Sequence, residues 1–307
     1  MAELSPNDLM FRPGLMQGQR ILITGGGTGL GKVMAEACLM LGAEVYICGR
    51  RGGVVEATAQ ELTDAHKGEK GGGKCVGLAC DIRVPEAIGE MIDTVWSDGG
   101  ALTGLVNNAA GNFISRTEDL SPRGFDAIAN IVFRGSFFVT LECGKRWLEE
   151  GKHASVVSIL TTWVWHGGPF TVPSAMSKAG LNVMTQSLAV EWGNRGIRFN
   201  AIAPGPFPTE GAWARLNPGG GTASEKKDPT IPLDRNGEMR ELANLAVYLL
   251  DPGSAYVNGQ TIAIDGGSHL RGSGGFSRLA SWGDAEWEAA RNSIRAANEK
   301  DRAQRTV

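Results

Sequence analysis

The chain has 307 residues, of which 42% are hydrophobic and 21% are charged, enough for one large α/β domain with a complete core. Its formal net charge is −3, and lysine and arginine are spread along the sequence without forming basic blocks. This composition argues against nucleic acid or a membrane surface as the main partner and favours a small-molecule ligand.

Residues 1–19 are predicted to form an N-terminal arm. Acidic residues and two prolines interrupt it, so it lacks the sustained apolar run of a secretory signal or a spanning helix. The five cysteines of the chain include no Cys-x-x-Cys pair, which is typical of reduced thiols and not of a disulfide framework or a zinc site. We therefore expect a cytoplasmic protein without a bound metal ion.

From Arg20 onward, strand-like apolar runs alternate with helical patterns. Strands are predicted at Ile21–Ile23, Glu44–Cys48, Cys75–Cys80, Leu102–Val106, Ser155–Ile159, Arg198–Ile202 and Gln260–Ile264. Helical patterns separate the first of these strands, for example at Lys32–Leu41 and Val84–Trp96. The alternation predicts an α/β fold of three layers, α/β/α, with a parallel sheet and ligands at the carboxyl ends of its strands.

Two stretches depart from this alternation. Residues 204–233 are rich in Pro, Gly and Thr without firm periodicity, and we expect them to form a lid over the substrate. Residues 268–307 form a C-terminal extension whose helix is predicted from Asp284 to about Lys300. The main domain therefore spans residues 20–267.

A glycine-rich run, Thr24-Gly-Gly-Gly-Thr-Gly-Leu-Gly31, lies between the first predicted strand and the first helix. Glycines allow a tight turn and a close backbone approach, and a helix N-terminus offers unpaired N–H groups, so this context favours a dinucleotide pyrophosphate over an ordinary turn. The predicted contacts are Gly25, Gly27, Thr28, Gly29, Leu30 and Gly31.

The second predicted strand is followed by Gly49-Arg50-Arg51. A carboxylate at this point would accept both ribose hydroxyls of NAD, whereas two arginines suit a 2′-phosphate. Arg50 and Arg51 therefore favour NADP(H) as the cofactor, the alternative being a pair of solvated surface arginines.

The segment Ser174-Ala-Met-Ser-Lys178 completes a set of ordered motifs. The others are the glycine loop, Cys80-Asp81, Asn107-Asn-Ala-Ala-Gly111, and Arg198-Phe-Asn-Ala-Ile-Ala-Pro-Gly205. Together they resemble the short-chain dehydrogenase/reductase family over nearly the whole chain. This resemblance implies a single Rossmann-type domain with a doubly wound parallel sheet.

Within that family, three longer segments resemble the 2,4-dienoyl-CoA reductases, particularly the mitochondrial type. They are the stretches from Asn107 to Ser115 and from Val172 to Gly180, and Pro204-Gly-Pro with residues 211–216 beyond. The resemblance implies NADPH-dependent reduction of 2,4-dienoyl-CoA thioesters to 3-enoyl-CoA in unsaturated fatty acid β-oxidation.

The resemblance also implies residue roles. Ser174 would lie at the reaction centre, Lys178 would hold the nicotinamide ribose, and the amide N–H of Asn112 would stabilise negative charge on the thioester oxygen. Further cofactor contacts would come from Asp81, Asn108, Ala109, Lys178, Pro204, Gly205 and Phe207. Acyl-CoA would be bound by Arg83, Asn112, Phe113, Ser121 and Arg215.

One position departs from the mitochondrial pattern. Eleven residues before Ser174, where that type has its catalytic tyrosine, this chain has Trp163, whose indole can donate a hydrogen bond but cannot deliver a proton. None of Tyr46, Tyr248 and Tyr256 is an obvious replacement. With Asn112, the Trp163 N–H would stabilise the dienolate left by hydride transfer, and the proton would come from ordered water or from His166.

Two alternatives remain open at this point. The chain could reduce another enoyl thioester or a hydrophobic ketone, or it could bind NADP without catalysis. Each predicted site residue also has a purely structural alternative, such as helix capping for Ser174. By analogy with relatives, we expect a homo-oligomer, a tetramer, with the helix from about Gly180 to Trp192 as a candidate interface.

Overall fold

A computed structural model describes residues 4–67, 73–209, 231–271 and 276–303. One sheet of seven parallel strands, in the order β3-β2-β1-β4-β5-β6-β7, forms its centre. The strands are β1 Arg20–Thr24, β2 Glu44–Gly49, β3 Cys75–Ala79, β4 Gly104–Asn107, β5 Ala154–Ile159, β6 Ile197–Pro204 and β7 Thr261–Ile264. The predicted parallel α/β fold is confirmed.

At most of the strand ends, the observed boundary differs from the predicted one by one or two residues. β4 begins at Gly104 and not at Leu102, whose carbonyl accepts a hydrogen bond from the Trp147 indole at 2.7 Å. Thr103, between them, still donates its N–H to the Arg20 carbonyl of β1 at 2.8 Å.

Helices cover both faces of the sheet. They are α1 Gly29–Met40, α2 Gly52–Ala65, α3 Pro85–Gly99, α4 Pro122–Ala129, α5 Ser136–Glu150, α6 Trp163–His166, α7 Val172–Glu191 and α8 Met239–Leu250. A π-helical segment, Asn130–Gly135, joins α4 to α5. α1, α2 and α8 pack in one apolar cluster, and α3, α5 and the end of α7 in another, so the layers are α/β/α.

The order of the strands reverses at β1, which pairs with β2 on one side and β4 on the other. Chain crossovers run in opposite directions from this point, so their helices lie on opposite faces and leave a crevice at the carboxyl ends of β1 and β4. The glycine-rich run and the Asn107 segment follow these two strands.

The described part of the N-terminal arm packs on the main body. Leu4, Leu9 and Met16 are buried in the cluster of α1 and α8. The backbone N–H of Met10 donates to Asn244 Oδ1 at 3.0 Å, and Asn244 Nδ2 donates to the Asp8 carbonyl at 2.9 Å.

The chain divides into two compact units, residues 1–267 and 268–307. In the second unit, α9 (Asp284–Ala303) begins where helix is predicted. The rings of Trp282 and Trp287 meet edge to face, with centroids 5.1 Å apart.

Among the described residues, one helical run, Pro122–Glu150, has the length and apolar composition of a membrane span. Core helices of soluble proteins pass the same test, so this is weak evidence for a membrane. In this run Val139, Cys143 and Trp147 are completely buried in the cluster that covers one face of the sheet.

Candidate functional site

The glycine-rich loop lies where two backbone segments come close together. Gly25 has φ of +66°, and a Cβ there would lie 2.9 Å from Ala109 Cα. A Cβ on Gly31 would lie 2.5 Å from both the Gly25 carbonyl oxygen and Asn108 Nδ2. Only glycine allows this packing, which leaves the loop backbone close to the crevice.

Thr24 joins this loop to the end of β4. Its hydroxyl oxygen accepts the backbone N–H groups of Asn108 and Ala109, both at 3.0 Å. Asn108 Nδ2 donates in return to the carbonyls of Thr24 at 2.9 Å and Gly25 at 3.2 Å. Sequence reasoning did not assign a role to Thr24, although a hydroxyl residue directly before the glycines is a signal that could have indicated one.

The N-terminus of α1 suits a phosphate. Thr28 is its N-cap in an extended conformation, and the Thr28 side chain makes no hydrogen bond to the first helical turn. The first N–H groups of a helix lack partners within it and favour an anion. Gly29, Leu30 and Gly31 provide this turn, while the Gly27 carbonyl is held by the Thr58 hydroxyl at 2.9 Å. The predicted loop residues therefore come together and fit a dinucleotide.

Arg50 and Arg51 are exposed directly after β2, and Arg51 is the N-cap residue of α2. Across the parts of the chain that the structure describes, neither guanidinium forms a salt bridge. Their role in binding a 2′-phosphate stays a prediction.

Asp81 and Arg83, predicted to bind different ligands, bind each other. Arg83 Nε lies 2.9 Å from each oxygen of the Asp81 carboxylate, and Arg83 Nη2 lies 2.5 Å from Oδ2. This hydrogen bonding to Arg83 holds the pKa of Asp81 below its ordinary value. If Asp81 binds adenine, its carboxylate must do so while paired with Arg83. If Arg83 binds a CoA phosphate, its guanidinium must do so while paired with Asp81.

Asn112 lies in the loop after β4, and its Oδ1 accepts the backbone N–H of Phe113 at 2.9 Å. This bond orients the amide, and in the described structure Nδ2 has no protein acceptor. The ring of Phe113 packs with Leu160 and Leu181 in a small cluster between β5 and α7. Asn112 is thus next to the elements that carry Lys178.

The remaining predicted acyl-CoA residues lie farther along the chain. Ser121 is the N-cap of α4, and its Oγ accepts the Gly124 N–H at 3.1 Å, so its hydroxyl already has a structural role. Arg215, and with it most of the predicted lid, lies outside the described residues.

Trp163 and His166 form the ends of the short helix α6. Trp163 is partly buried, and a Cβ on Gly168 would lie 2.9 Å from its indole ring, so the ring packs against the loop before α7. His166 is exposed. The structure therefore places the two candidates differently, Trp163 inside the loop and His166 toward solvent.

Ser174 and Lys178 lie one turn apart near the start of α7. Ser174 is 1% exposed, and the N-cap of the helix is Thr171, so Ser174 is not a capping residue. Lys178 Nζ donates to the Leu160 carbonyl, just beyond β5, at 2.7 Å. Burial lowers the pKa of Lys178 to about 8.

The loop after β6 brings Pro204, Gly205 and Phe207 to the same edge of the sheet. The Gly205 N–H donates to the Ile264 carbonyl at 3.0 Å, and Phe207 is buried against Gly237. A Cβ on Gly29 would lie 3.6 Å from Thr209 Cγ2, so this loop reaches over the glycine loop. Thr209 is a second residue that sequence reasoning missed.

A cavity of about 290 Å³ lies at the carboxyl ends of β6 and β7. Phe207, Ile231 and Leu233 form its apolar wall, and Arg235, paired with Glu241 at 2.6 Å, lies on its polar side. None of Asn112, Trp163, Ser174 and Lys178 lines it. The cavity is therefore distinct from the predicted reaction centre.

The three tyrosines lie away from this centre. The Tyr46 hydroxyl donates to Asp98 at 2.7 Å, near the amino end of β2, while Tyr248 and Tyr256 are exposed. In the described residues, no group of three or more His, Cys, Asp or Glu side chains could hold a metal ion.

Comparisons with known proteins agree with this geometry. Residues 25–269 match the family model described as enoyl-(acyl carrier protein) reductase. A protein of Caenorhabditis elegans, named a probable (3E)-enoyl-CoA-producing 2,4-dienoyl-CoA reductase, is 42% identical over 96% of this chain and 95% of its own length. A Bacillus subtilis protein, named a probable (2E)-enoyl-CoA-producing 2,4-dienoyl-CoA reductase, is 36% identical over 83% of this chain and 98% of its own.

Solved structures of the same fold include two from Pseudomonas aeruginosa. A citronellol catabolism dehydrogenase is 34% identical, covers 85% of this chain and 99% of its own, and has a TM-score of 0.72. The NADP complex of RhlG is 27% identical, and the match covers 85% of this chain and 100% of the RhlG chain, with a TM-score of 0.75.

Proposed function

Because the chain belongs to the short-chain dehydrogenase/reductase family, we propose that it reduces 2,4-dienoyl-CoA thioesters to 3-enoyl-CoA with NADPH. The observation that carries this proposal is the similarity, over nearly the whole chain, to relatives named for this reaction. The (3E) product is proposed because the relative at 42% identity is named for it.

NADPH is proposed over NADH for two reasons. Arg50 and Arg51 follow the end of β2 and form no salt bridge among the described residues, and the relative RhlG is solved with NADP. The glycine loop, the α1 N-terminus and Lys178 would hold the nucleotide, whose nicotinamide supplies the hydride when bound.

On the substrate side, Asn112 would stabilise the charge that develops on the thioester oxygen. Its Oδ1 is held by the Phe113 N–H, so Nδ2 is the end of the amide turned away from the backbone. A fixed donor aimed at a developing oxyanion lowers the barrier because no reorganisation is needed. Trp163 would add its indole N–H or pack against the acyl chain.

We also propose that the protein works in the cytoplasm, in β-oxidation of unsaturated fatty acids, as a homo-oligomer with four subunits. Exposed apolar side chains on α5 and α7 support an oligomer, namely Phe137, Met176, Val183 and Val190.

A second candidate is reduction of another enoyl thioester or a hydrophobic carbonyl compound. The similarity to a dehydrogenase of citronellol catabolism favours it, since that protein is named for the breakdown of citronellol and not for an acyl-CoA.

Oxidation of NADPH, followed at 340 nm after addition of 2,4-hexadienoyl-CoA, tests the proposal, with NADH and with citronellal as parallel arms. We expect turnover with the dienoyl-CoA and formation of 3-hexenoyl-CoA. NADPH binding without oxidation of any substrate would instead indicate a non-catalytic protein. Asn112→Ala should reduce kcat/KM by about 100-fold. Its control, Asn236→Ala, changes an asparagine that lines the separate cavity at the ends of β6 and β7 and should not.

A further inference from the structure

Lys178 is a cation without an anionic partner. Its Nζ donates to the Leu160 carbonyl at 2.7 Å, and across the described residues it forms no salt bridge. A buried ammonium group that lacks a counter-charge releases its proton more easily than an exposed one. Here burial alone lowers its pKa to about 8.

Ser174 lies one turn before Lys178 on the same face of α7. Two other hydroxyls of this helix bond back to carbonyls four residues earlier, Ser177 to Pro173 at 2.7 Å and Thr185 to Leu181 at 2.9 Å. Among the described residues Ser174 shows no such bond: Phe170, four residues earlier, precedes the helix, and its carbonyl accepts the Ser115 N–H at 2.9 Å. The Ser174 hydroxyl therefore keeps its hydrogen-bonding capacity for the reaction centre.

Within the described residues, other acids near this turn are poorly placed. Tyr46 is held by Asp98 near the opposite edge of the sheet, and Trp163 has no proton to give at neutral pH. His166 is exposed at the end of α6.

We propose that Lys178 is the general acid of the reaction and that the Ser174 hydroxyl passes its proton to the substrate carbon. This inference rests on the proposed function and identifies its proton donor. After hydride addition to the δ-carbon, the substrate is a dienolate. The Ser174 O–H bond breaks as a C–H bond forms at the α-carbon, and a Lys178 N–H proton replaces it on Oγ. Lys178 is left as a neutral amine, which solvent water protonates again.

The first test needs neither cofactor nor turnover. In protein labelled with ¹³C at lysine Cε, NMR titration should give a pKa near 8 for Lys178, assigned by its loss in Lys178→Arg. The Cε signals of the other lysines in the same spectra serve as the internal reference. A Lys178 pKa above 10 would overturn the proposal.

The second test is kinetic. Lys178→Arg keeps a cation at this site but cannot lose a proton at the pH of the assay, so kcat should fall about 100-fold or more while the NADPH Kd changes less than tenfold. Ser174→Ala should lower kcat by a similar factor, and Ser177→Ala, its control on the same helix, should not. Ser174→Thr should restore part of the rate.

The pH profile completes the test. An acid must be protonated to act, so kcat of the wild type should fall as pH rises through about 8. The falling limb should be lost in Ser174→Ala and retained in His166→Ala. Retention in the serine variant, or loss in the histidine variant, would refute the proton route.

The two levels of proposal fail differently. If the wild-type protein oxidises no NADPH with any dienoyl-CoA, the proposed function is wrong. If it does so while Lys178 titrates normally or Ser174→Ala keeps its rate, only the proton route is wrong.

Discussion

Buried cations at the two edges of the sheet differ in how many hydrogen-bond partners they have. At the amino edge, buried Arg20 donates from Nε to Glu44 at 2.6 Å and from Nη2 to Val95 O at 3.0 Å, and it also bonds Gly100 O and the Tyr46 hydroxyl. At the carboxyl edge, Lys178 has only a carbonyl partner among the described residues. A network in which every polar group has a hydrogen-bond partner stabilises the fold. Polar groups that lack a protein partner remain available to bind a ligand.

Further buried atoms without a partner in the described chain lie at or near the carboxyl edge. Asn107 Oδ1 and Ser158 Oγ belong to register partners at the ends of β4 and β5, and Ser136 Oγ lies at the start of α5. Asn107 Nδ2 donates to Thr140 Oγ1 at 2.8 Å, one turn along α5 from Ser136. Incomplete pairing is thus shared by several side chains of this region, whereas Thr24 and Asn108 at the same edge are bonded.

The largest effect is expected from breaking the amino-edge network. Arg20→Ala removes the guanidinium, which leaves Glu44 without its closest partner and Tyr46 with only its bond to Asp98, so the free energy of unfolding should fall by about 3–5 kcal/mol. Urea denaturation measures it. Arg116→Ala breaks an exposed pair with Glu118, and the same experiment should show a change below about 1 kcal/mol. Equal losses would contradict the contrast between buried and surface pairs.

The opposite sign is expected at the carboxyl edge. Burial disfavours the charged form of Lys178, so Lys178→Met should raise the free energy of unfolding at pH 7 by up to about 3 kcal/mol. The unfolded chain binds more protons than the folded one between pH 8 and about 10.4, so the wild type should gain stability in that window. The advantage of Lys178→Met should therefore shrink as pH rises. A difference that is independent of pH would exclude this cause.

Two serines of β5 allow a comparison of Ser→Ala at a hydroxyl that has a hydrogen-bond partner and at one that has none in the described structure. Ser155 Oγ donates to Leu249 O at 2.8 Å, so Ser155→Ala should cost about 1 kcal/mol and leave that carbonyl without this donor. Ser158→Ala removes a buried hydroxyl that has no described partner, and thermal unfolding should show no loss or a small gain. A larger loss at Ser158 would mean that its hydroxyl is bonded in solution.

The smallest effect is expected away from both edges. Gly89 lies inside α3, and a Cβ there would meet nothing within 4 Å, so Gly89→Ala should stabilise the protein by about 0.5–1 kcal/mol. Gly31→Ala is its counterpart in the cofactor loop and should lower NADPH affinity instead, because its Cβ would meet the Gly25 carbonyl at 2.5 Å. Calorimetric unfolding measures the stability change of Gly89→Ala, and titration with NADPH measures the affinity change of Gly31→Ala.

Much of the fold follows from local pattern. Apolar runs such as Ile21–Ile23 predict buried parallel strands because both faces are covered, and glycines between strand and helix predict the dinucleotide loop. The π-helical segment Asn130–Gly135 was not predicted, since its apolar residues have no helical period that separates it from its neighbours. The roles of Trp163 and Ser174 stay predictions.

The amino-acid sequence by itself determined the order of strands and helices, the glycine loop and the missing tyrosine, because these depend on residues near one another in the chain. Only the tertiary structure decided that Thr24 ties β1 to β4 and that Lys178 lies beside the Leu160 carbonyl. Each of these depends on distance in space and on exclusion of water, and packing sets both.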